Sequence, residues 1–170
     1  AYLSIAIVVI IMPGQDMALT LRTTLLGGRR SGLFTALGVV TGLATWTVAT
    51  SAGLAALLLA SEPLFVALKL AGAAYLVGLG AQALRGAWRP SQVRPTDGDE
   101  RASRRLSPVV AYRQGLISNL GNPKIAVFFT SLLPQFTSAG QATFAVLLLL
   151  GGLFCVLTLA WLTVYALVIA

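Results

Sequence analysis

Two hydrophobic stretches of this chain are each interrupted by a proline close to an ionisable residue. Pro13-Gly14-Gln15-Asp16 interrupts the first stretch, and Asn122-Pro123-Lys124 interrupts the fourth. Proline removes a helical hydrogen bond and clashes with the preceding turn. A charged side chain at membrane depth is costly unless it is paired or faces a wet cavity. Two such breaks predict a polar site near the middle of a bilayer, as in small secondary transporters built from broken helices.

The distribution of charge indicates a membrane protein. The chain has 170 residues, of which 57% are apolar and 10% are charged, whereas a soluble domain has about 25% charged residues. Residues 31–61 and 125–170 contain no charged side chain. Since a helix needs about 20 apolar residues to cross a bilayer core, these runs predict an all-α, polytopic membrane protein.

Hydropathy and turn residues divide the chain into five transmembrane segments. They are predicted at about residues 1–21, 31–60, 63–84, 114–133 and 143–170. We expect one transmembrane domain over residues 1–170, in which 1–84 form a first three-helix repeat, 85–113 an Arg-rich loop and 114–170 an incomplete second repeat. This pattern predicts a three-plus-three inverted repeat, with a sixth helix missing from the chain.

The positions of the basic residues predict the orientation in the membrane. Ten of the 12 Lys and Arg residues follow the first or the third segment, and Lys and Arg accumulate in cytoplasmic loops. We therefore expect cytoplasmic Arg-rich loops and an N-terminus outside, in a multi-pass membrane protein. The net charge of +7 then reflects topology and lipid contact, and no nucleic-acid partner is predicted.

The amino-acid composition gives little support to an enzymatic function. There is no histidine and a single cysteine, Cys155, which disfavours a transition-metal site, an imidazole proton relay and disulfide exchange. A membrane enzyme would need a clustered nucleophile or acid–base set. We predict no catalytic residue, no metal and no cofactor.

Two charged residues at the breaks are the main candidates for function. Asp16 is predicted to face the ammonium group of a substrate, to carry a proton, or both; alternatively, it pairs with Lys124 or Lys69 or caps the restarting helix. Lys124 is predicted to bind a carboxylate, the alternative being a permanent ion pair with Asp16. Lys69 either serves an outer gate or extends its ammonium to the membrane surface.

The neighbours of these charges complete the predicted site. Asn119 and Asn122 are three residues apart and share a helix face, so their amides can bind a polar substrate or join helices. The breaks also free backbone groups that can bind a zwitterion. The predicted substrate-binding set is Asp16, Pro13, Gly14, Gln15, Asn119, Asn122, Pro123 and Lys124.

Small residues recur along one face of the second segment. Gly38 and Gly42 form a small-xxx-small pair that allows helices to approach closely. We interpret this stripe as a packing surface, within the chain or in a homodimer, along which helices can slide during transport. Its members are Thr35, Gly38, Gly42, Thr45, Ala49 and Ala52.

Several motifs taken together resemble the LysE-type translocators, the bacterial exporters of lysine, homoserine, threonine and related amino acids. The matching stretches are Pro13-Gly14, Arg29-Arg30-Ser31-Gly32-Leu33, Ala36-Leu37-Gly38, Leu68-Lys69-Leu70-Ala71-Gly72-Ala73-Ala74-Tyr75-Leu76, Asn122-Pro123-Lys124, Phe128-Phe129 and Leu133-Pro134-Gln135-Phe136. The family usually has Pro-Gly-Pro where this chain has Gln15, and about six hydrophobic segments where this chain has five. The resemblance implies an inner-membrane exporter driven by the proton motive force.

The combined prediction is amino-acid export by alternating access. Its partners are a small amino-acid substrate and the lipid bilayer, and protonation of Asp16 would couple export to proton entry. One buried acid favours a neutral or small polar amino acid over a basic one. The alternative is a non-transporting membrane scaffold or lipid-binding subunit, whose activity would not depend on Asp16 or Lys124.

Overall fold

The computed structural model describes residues 1–60, 107–137 and 143–169, with isolated positions at 67, 70, 74, 77, 78 and 81. Side chains of residues 54–60 and 143 are not among those described. The predicted third segment, with Lys69, and most of the loop at 85–113 lie outside this part of the chain. The regular structure in the described part is entirely helical, as predicted.

Five α-helices are present in the described ranges. They are α1 (Tyr2–Ile11), α2 (Gln15–Ala60), α3 (Pro108–Leu120), α4 (Pro123–Val127) and α5 (Thr143–Ile169). A π-helical turn (Phe128–Leu132) and a 3-10 turn (Leu133–Phe136) follow α4. By length and composition alone, the helical ranges Gln15–Gly53, which turns at Gly28, and Phe144–Ile169 are apolar enough to cross a membrane. The number of spans and the inverted repeat stay predictions.

Both predicted helix breaks are present. The first separates α1, which ends at Ile11, from α2, which begins at Gln15. The second separates α3 from α4, which begins at Pro123. Proline is favourable in the first helical position because the N–H that it lacks would have no helical partner there. Each break therefore ends one helix and starts another within two or three residues.

The turn between the first and second segments lies at Gly28, which corrects the predicted boundaries. Helical geometry continues past Leu21 until Gly28, whose φ of 74° and ψ of −178° interrupt α2. Glycine reaches this left-handed region without the strain that a Cβ imposes. We call residues 15–27 the first arm of α2 and residues 29–60 the second arm.

The two arms fold back on each other around Gly28. The Thr35 hydroxyl donates to the Thr23 hydroxyl oxygen at 2.8 Å. Along a straight helix, residues that are 12 positions apart lie about 18 Å from each other. The chain therefore reverses at Gly28, and the contact between these buried threonines joins the antiparallel arms.

Glycines let the second arm of α2 lie directly against α3. A Cβ on Gly38 would overlap the carbonyl oxygen of Tyr112, and a Cβ on Gly115 would overlap the carbonyl oxygen of Thr35. The Gly38 part of the predicted stripe is thus a packing surface within this chain. Backbone contact of this kind fixes the relative height of the two helices.

The contacts also give the direction of α3. Thr35 lies beside Ala111, and Gly42 lies beside Asn119, so residue numbers rise together along the two helices. The second arm of α2 and α3 therefore run parallel, and α3 runs antiparallel to the first arm. Opposite directions of the first and fourth segments are what the predicted inverted repeat requires, and this arrangement brings the two helix breaks to one level.

Aromatic side chains form the core next to the breaks. Phe128 stacks on Phe154 with ring centroids 4.4 Å apart, and Phe129 meets the same ring edge-on at 5.9 Å. All three are almost completely buried. Tyr2 donates to the carbonyl oxygen of Leu150 at 2.6 Å. These contacts hold α1 and the π-helical turn against α5.

The glycine contact can be tested by substitution of Gly38 with alanine. We expect Gly38→Ala to destabilise the fold by about 1–3 kcal/mol, because a backbone carbonyl occupies the position of the new methyl group. Thermal unfolding of the purified protein in detergent, followed by tryptophan fluorescence, measures the effect. Gly53→Ala is the matched control on the same helix, since no atom of the described residues lies within 4 Å of a Cβ there. Equal melting temperatures for the two variants would contradict the close approach.

Candidate functional site

Asp16 in the first turn of α2 is held by side chains from the end of α3 and from the break that follows. Its Oδ2 accepts hydrogen bonds from the amide nitrogens of Asn119 at 2.9 Å and Asn122 at 3.1 Å. Its Oδ1 has a longer contact of 3.4 Å with the Ser118 hydroxyl. Charge-assisted bonds of this kind offset the cost of placing a carboxylate away from water. The structure thus brings Asp16, Asn119 and Asn122 together.

Gly42 makes room for Asn119. The Asn119 side chain is completely buried, and a Cβ on Gly42 would lie 2.7 Å from its Oδ1 atom. Any larger residue at position 42 would push Asn119 away from Asp16. The second glycine of the small-residue stripe therefore serves the site directly, in addition to helix packing.

Asn122 connects the two helix breaks. Its Oδ1 accepts the backbone N–H of Lys124 at 3.0 Å, which caps the N-terminus of α4. Its amide nitrogen donates to Asp16. An asparagine can do both at once because its side chain carries an acceptor and two donor hydrogens. One buried side chain thus fixes the start of α4 against the start of α2.

Lys124 binds the end of α1. Its Nζ donates to the carbonyl oxygens of Val9 at 3.1 Å and Met12 at 3.2 Å. The last carbonyls of a helix have no helical donor, and a cation there also interacts favourably with the helix dipole. An ammonium has three N–H donors, so these two bonds leave one for a ligand.

A direct ion pair between Asp16 and Lys124, one alternative from the sequence, is not formed in the described part of the chain. Each charge bonds instead to polar groups of its own. Their charges still interact electrostatically, and both residues line the same cavity. The proline break explains the difference, because it provides Lys124 with uncharged carbonyl acceptors that the sequence pattern alone does not reveal.

The cavity between these charges has a volume of about 30 Å³. Gly14 lines it beside Lys124, and a Cβ on Gly14 would lie 3.0 Å from Nζ. A cavity needs about 10–15 Å³ to hold one water molecule, whereas an engineered cavity that binds benzene measures about 150 Å³. A molecule of the size of an amino acid would therefore need the surrounding helices to move apart before it could enter.

Helix α5 contributes two polar residues that the sequence interpretation missed. Thr158 and Trp161 line the same cavity as Asp16 and Lys124. The one signal in the sequence is that polar side chains are few in this apolar helix. This signal is weak, because single threonines and tryptophans are common in such helices. Only the packing of α5 against α1 indicates that they face the charged groups.

Other residues of the predicted set are less central. The side chains of Gln15, Pro13 and Pro123 are exposed, so the two prolines act through the backbone, and Gln15 does not line the cavity. Lys69 lies outside the described residues. In the described part of the chain, no group of three or more His, Cys, Asp or Glu residues could hold a metal ion.

Comparison with known proteins gives a consistent picture. Residues 7–170 match the model of the LysE type translocator family. The chain is 32% identical to the membrane protein YrhP of Bacillus subtilis, over 95% of this chain and 78% of that protein. It is 33% identical to a homoserine/homoserine lactone efflux protein of Salmonella typhimurium (98% and 77%) and 30% identical to a threonine efflux protein of Escherichia coli (94% and 76%). The chain spans about three quarters of each of these relatives, and no solved structure matches it.

Substitution of Asn122 tests the connection between the breaks. We expect Asn122→Ala to lower the free energy of unfolding by about 2–4 kcal/mol, because it removes a helix cap and a bond to a carboxylate. Ser118→Ala removes only the long contact with Asp16 and should cost about 0.5 kcal/mol or less. Thermal unfolding in detergent compares the two. A smaller effect for Asn122→Ala than for Ser118→Ala would show that Asn122 does not join the helices.

Proposed function

The chain belongs to the LysE-type translocator family, and from this premise we propose that it exports amino acids or close derivatives across the bacterial inner membrane. The observation that carries the proposal is the pair of opposite charges, Asp16 and Lys124, that line one cavity between two helix breaks. The names of two relatives as amino-acid efflux proteins support it. In the proposed orientation the N-terminus lies outside and the Arg-rich loops face the cytoplasm.

The charge arrangement suits a zwitterion. A free amino acid carries one ammonium and one carboxylate, and the cavity offers one carboxylate and one ammonium. Among the described residues, Oδ1 of Asp16 has only the long contact with Ser118, so it retains acceptor capacity for an ammonium. Lys124 retains one N–H for a carboxylate. We therefore assign the substrate ammonium to Asp16 and its carboxylate to Lys124.

The hydrogen bonds around Asp16 keep its carboxylate in place for this role. Asn119 and Asn122 both donate to Oδ2 and so direct Oδ1 away from them. Because both donors are neutral, the negative charge of Asp16 is stabilised without being cancelled. A lysine or arginine partner would compete with the substrate ammonium. Neutral amide donors therefore favour binding of a cation from the substrate.

Proton coupling would use the same carboxylate. In this mechanism, Asp16 binds the substrate ammonium while it is ionised and releases it when a proton from outside neutralises the carboxylate. Loss of that proton to the cytoplasm then restores the binding form. One proton enters for each released substrate. The amide donors remain bonded throughout, because a protonated carboxyl still offers acceptor oxygens.

The proposed substrates are neutral or small polar amino acids. A basic amino acid brings a second cationic group, which would need a second acid in the cavity. In the described part of the chain, Asp16 is the acidic residue that lines this cavity. A cationic side chain left without a partner there would be strongly disfavoured.

Transport requires the helices around the cavity to rearrange, since about 30 Å³ does not admit an amino acid. The breaks are the proposed sites of movement. At the first break, Met12, Pro13 and Gly14 lie outside regular helix, and Lys124 bonds the carbonyl of Met12. A substrate carboxylate that attracts Lys124 would weaken this contact and free the end of α1.

Export can be tested in proteoliposomes loaded with a mixture of amino acids, with and without an imposed pH gradient. We expect selective, gradient-dependent efflux from the wild type and a loss of roughly 10–100-fold in Asp16→Asn, as follows from removal of a charged hydrogen-bond partner. Asp97→Asn is the control for carboxylate loss, because it lies in the predicted cytoplasmic loop, and it should export normally.

Two results would contradict the proposal. Correctly folded wild-type protein that releases no amino acid would favour the scaffold or lipid-binding alternative. Normal efflux from Asp16→Asn would show that export does not use this carboxylate. Efflux that is unchanged by the pH gradient would remove proton coupling while leaving export in place.

A further inference from the structure

Thr158 of α5 carries a buried hydroxyl group that makes no hydrogen bond within the described part of the chain. The residue is 8% exposed, and its Oγ1 atom lies away from solvent. Threonines in helices usually donate to the carbonyl four residues earlier. Eight other threonines of the described part do so: Thr20, Thr23, Thr24, Thr35, Thr41, Thr45, Thr47 and Thr130. The Thr158 hydroxyl makes no such bond.

Trp161, almost one helical turn further along α5, has the same deficiency. Its indole Nε1 is buried and donates to no acceptor among the residues that the structure describes. Buried polar atoms are nearly always hydrogen-bonded, so each exception needs an explanation. Five such atoms occur in the described part of the chain, on Trp46, Ser51, Asn119, Thr158 and Trp161. Of these residues, Thr158 and Trp161 line the cavity that Asp16 and Lys124 also line. A ligand in this cavity would provide the missing partners.

The chemistry of the two groups defines what such a ligand offers. An indole N–H only donates, whereas a threonine hydroxyl both donates and accepts. A hydroxyl on the ligand satisfies both, since its oxygen accepts from Trp161 while its hydrogen is donated to Thr158. The charged groups of an amino acid have their counter-charges at Asp16 and Lys124. The uncharged pair on α5 is therefore left for the side chain.

The surroundings of Trp161 also favour the side-chain end of a substrate. The indole forms part of the wall of an open apolar groove of about 300 Å³ between α1 and α5, whose other lining residues include the exposed Ile7, Ile11 and Val164. An apolar groove accepts the carbon atoms of a side chain but not a carboxylate or an ammonium. A shift of the indole ring would extend the polar cavity in this direction.

We propose that Thr158 and Trp161 select the exported amino acid by binding a hydroxyl group on its side chain. The proposal rests on the proposed function and names its substrate class as hydroxyl-bearing, neutral amino acids. A site built to bind a hydroxyl discriminates against an analogue that lacks it, because its own buried polar groups are then left unpaired. Helix α5 therefore selects the side chain of the substrate, while Asp16 and Lys124 bind the ammonium and carboxylate that all amino acids share.

The test compares amino acids that differ only in the hydroxyl group. Proteoliposomes are loaded with equal amounts of L-threonine and L-valine, or of L-homoserine and L-norvaline, and the ratio of the two efflux rates is measured. We expect the wild type to prefer the hydroxylated member of at least one pair. Thr158→Val and Trp161→Phe should each lower this ratio about tenfold. Thr158→Ser, which keeps a hydroxyl, should retain most of it.

Two internal controls separate selection from general damage. Thr163→Val makes the same change on α5 at a residue that does not line the cavity, and it should leave the ratio unchanged. Efflux of the alkyl amino acid by Thr158→Val itself reports whether that variant is folded. If Thr158→Val cannot be purified in a folded state, the ratio in Trp161→Phe decides the proposal.

The outcomes distinguish the two levels of the argument. If the wild type exports amino acids and both α5 variants have the same efflux ratio as the wild type, the selection role alone is overturned. An equal fall in the efflux of threonine and valine also overturns it, because α5 would then contact a group common to both, such as the carboxylate. A wild type that exports no amino acid overturns the proposed function and the selection role together.

Discussion

The site depends on the hydrogen bonds that hold the Asp16 carboxylate against α3. Two amide donors meet one carboxylate oxygen, and this arrangement requires both helix breaks, the asparagine cap of α4 and the glycine at position 42. A carboxylate away from water without such donors would destabilise the fold. Helix packing and the polar site are therefore not separate features, because the same close approach of α2 and α3 that buries their surfaces also provides the donors.

Much of the polar site could be predicted from the sequence. Asp16, Asn119, Asn122 and Lys124 stand out because a charge or amide beside a proline break in an apolar stretch has few stable environments. The partner of Lys124 could not be predicted. Its acceptors are backbone carbonyls of α1, which carry no signal in the residue types and meet Lys124 only through tertiary packing.

Two further differences between the sequence predictions and the structure have physical reasons. The basic residues after Leu21 predict an end of the first segment there, but arginine is a good helix former, and the helix continues until the left-handed conformation of Gly28. The sequence does not distinguish Thr158 and Trp161, because single polar residues are ordinary in apolar helices. Their unpaired atoms are visible only once α1 and α5 are packed together, so helical periodicity cannot reveal them.

The backbone contact through Gly38 and Gly115 has a mechanical consequence. A contact without side chains cannot adjust by a change of rotamer, so the second arm of α2 and α3 are expected to move as one rigid body. The helices expected to move when the cavity opens are then α1 and α5. This motion must break the bonds from Lys124 to the carbonyls of Val9 and Met12. In the proposed mechanism, the closed form persists without a carboxylate to compete for that ammonium, and this would protect the cell from a leak of protons between transport cycles.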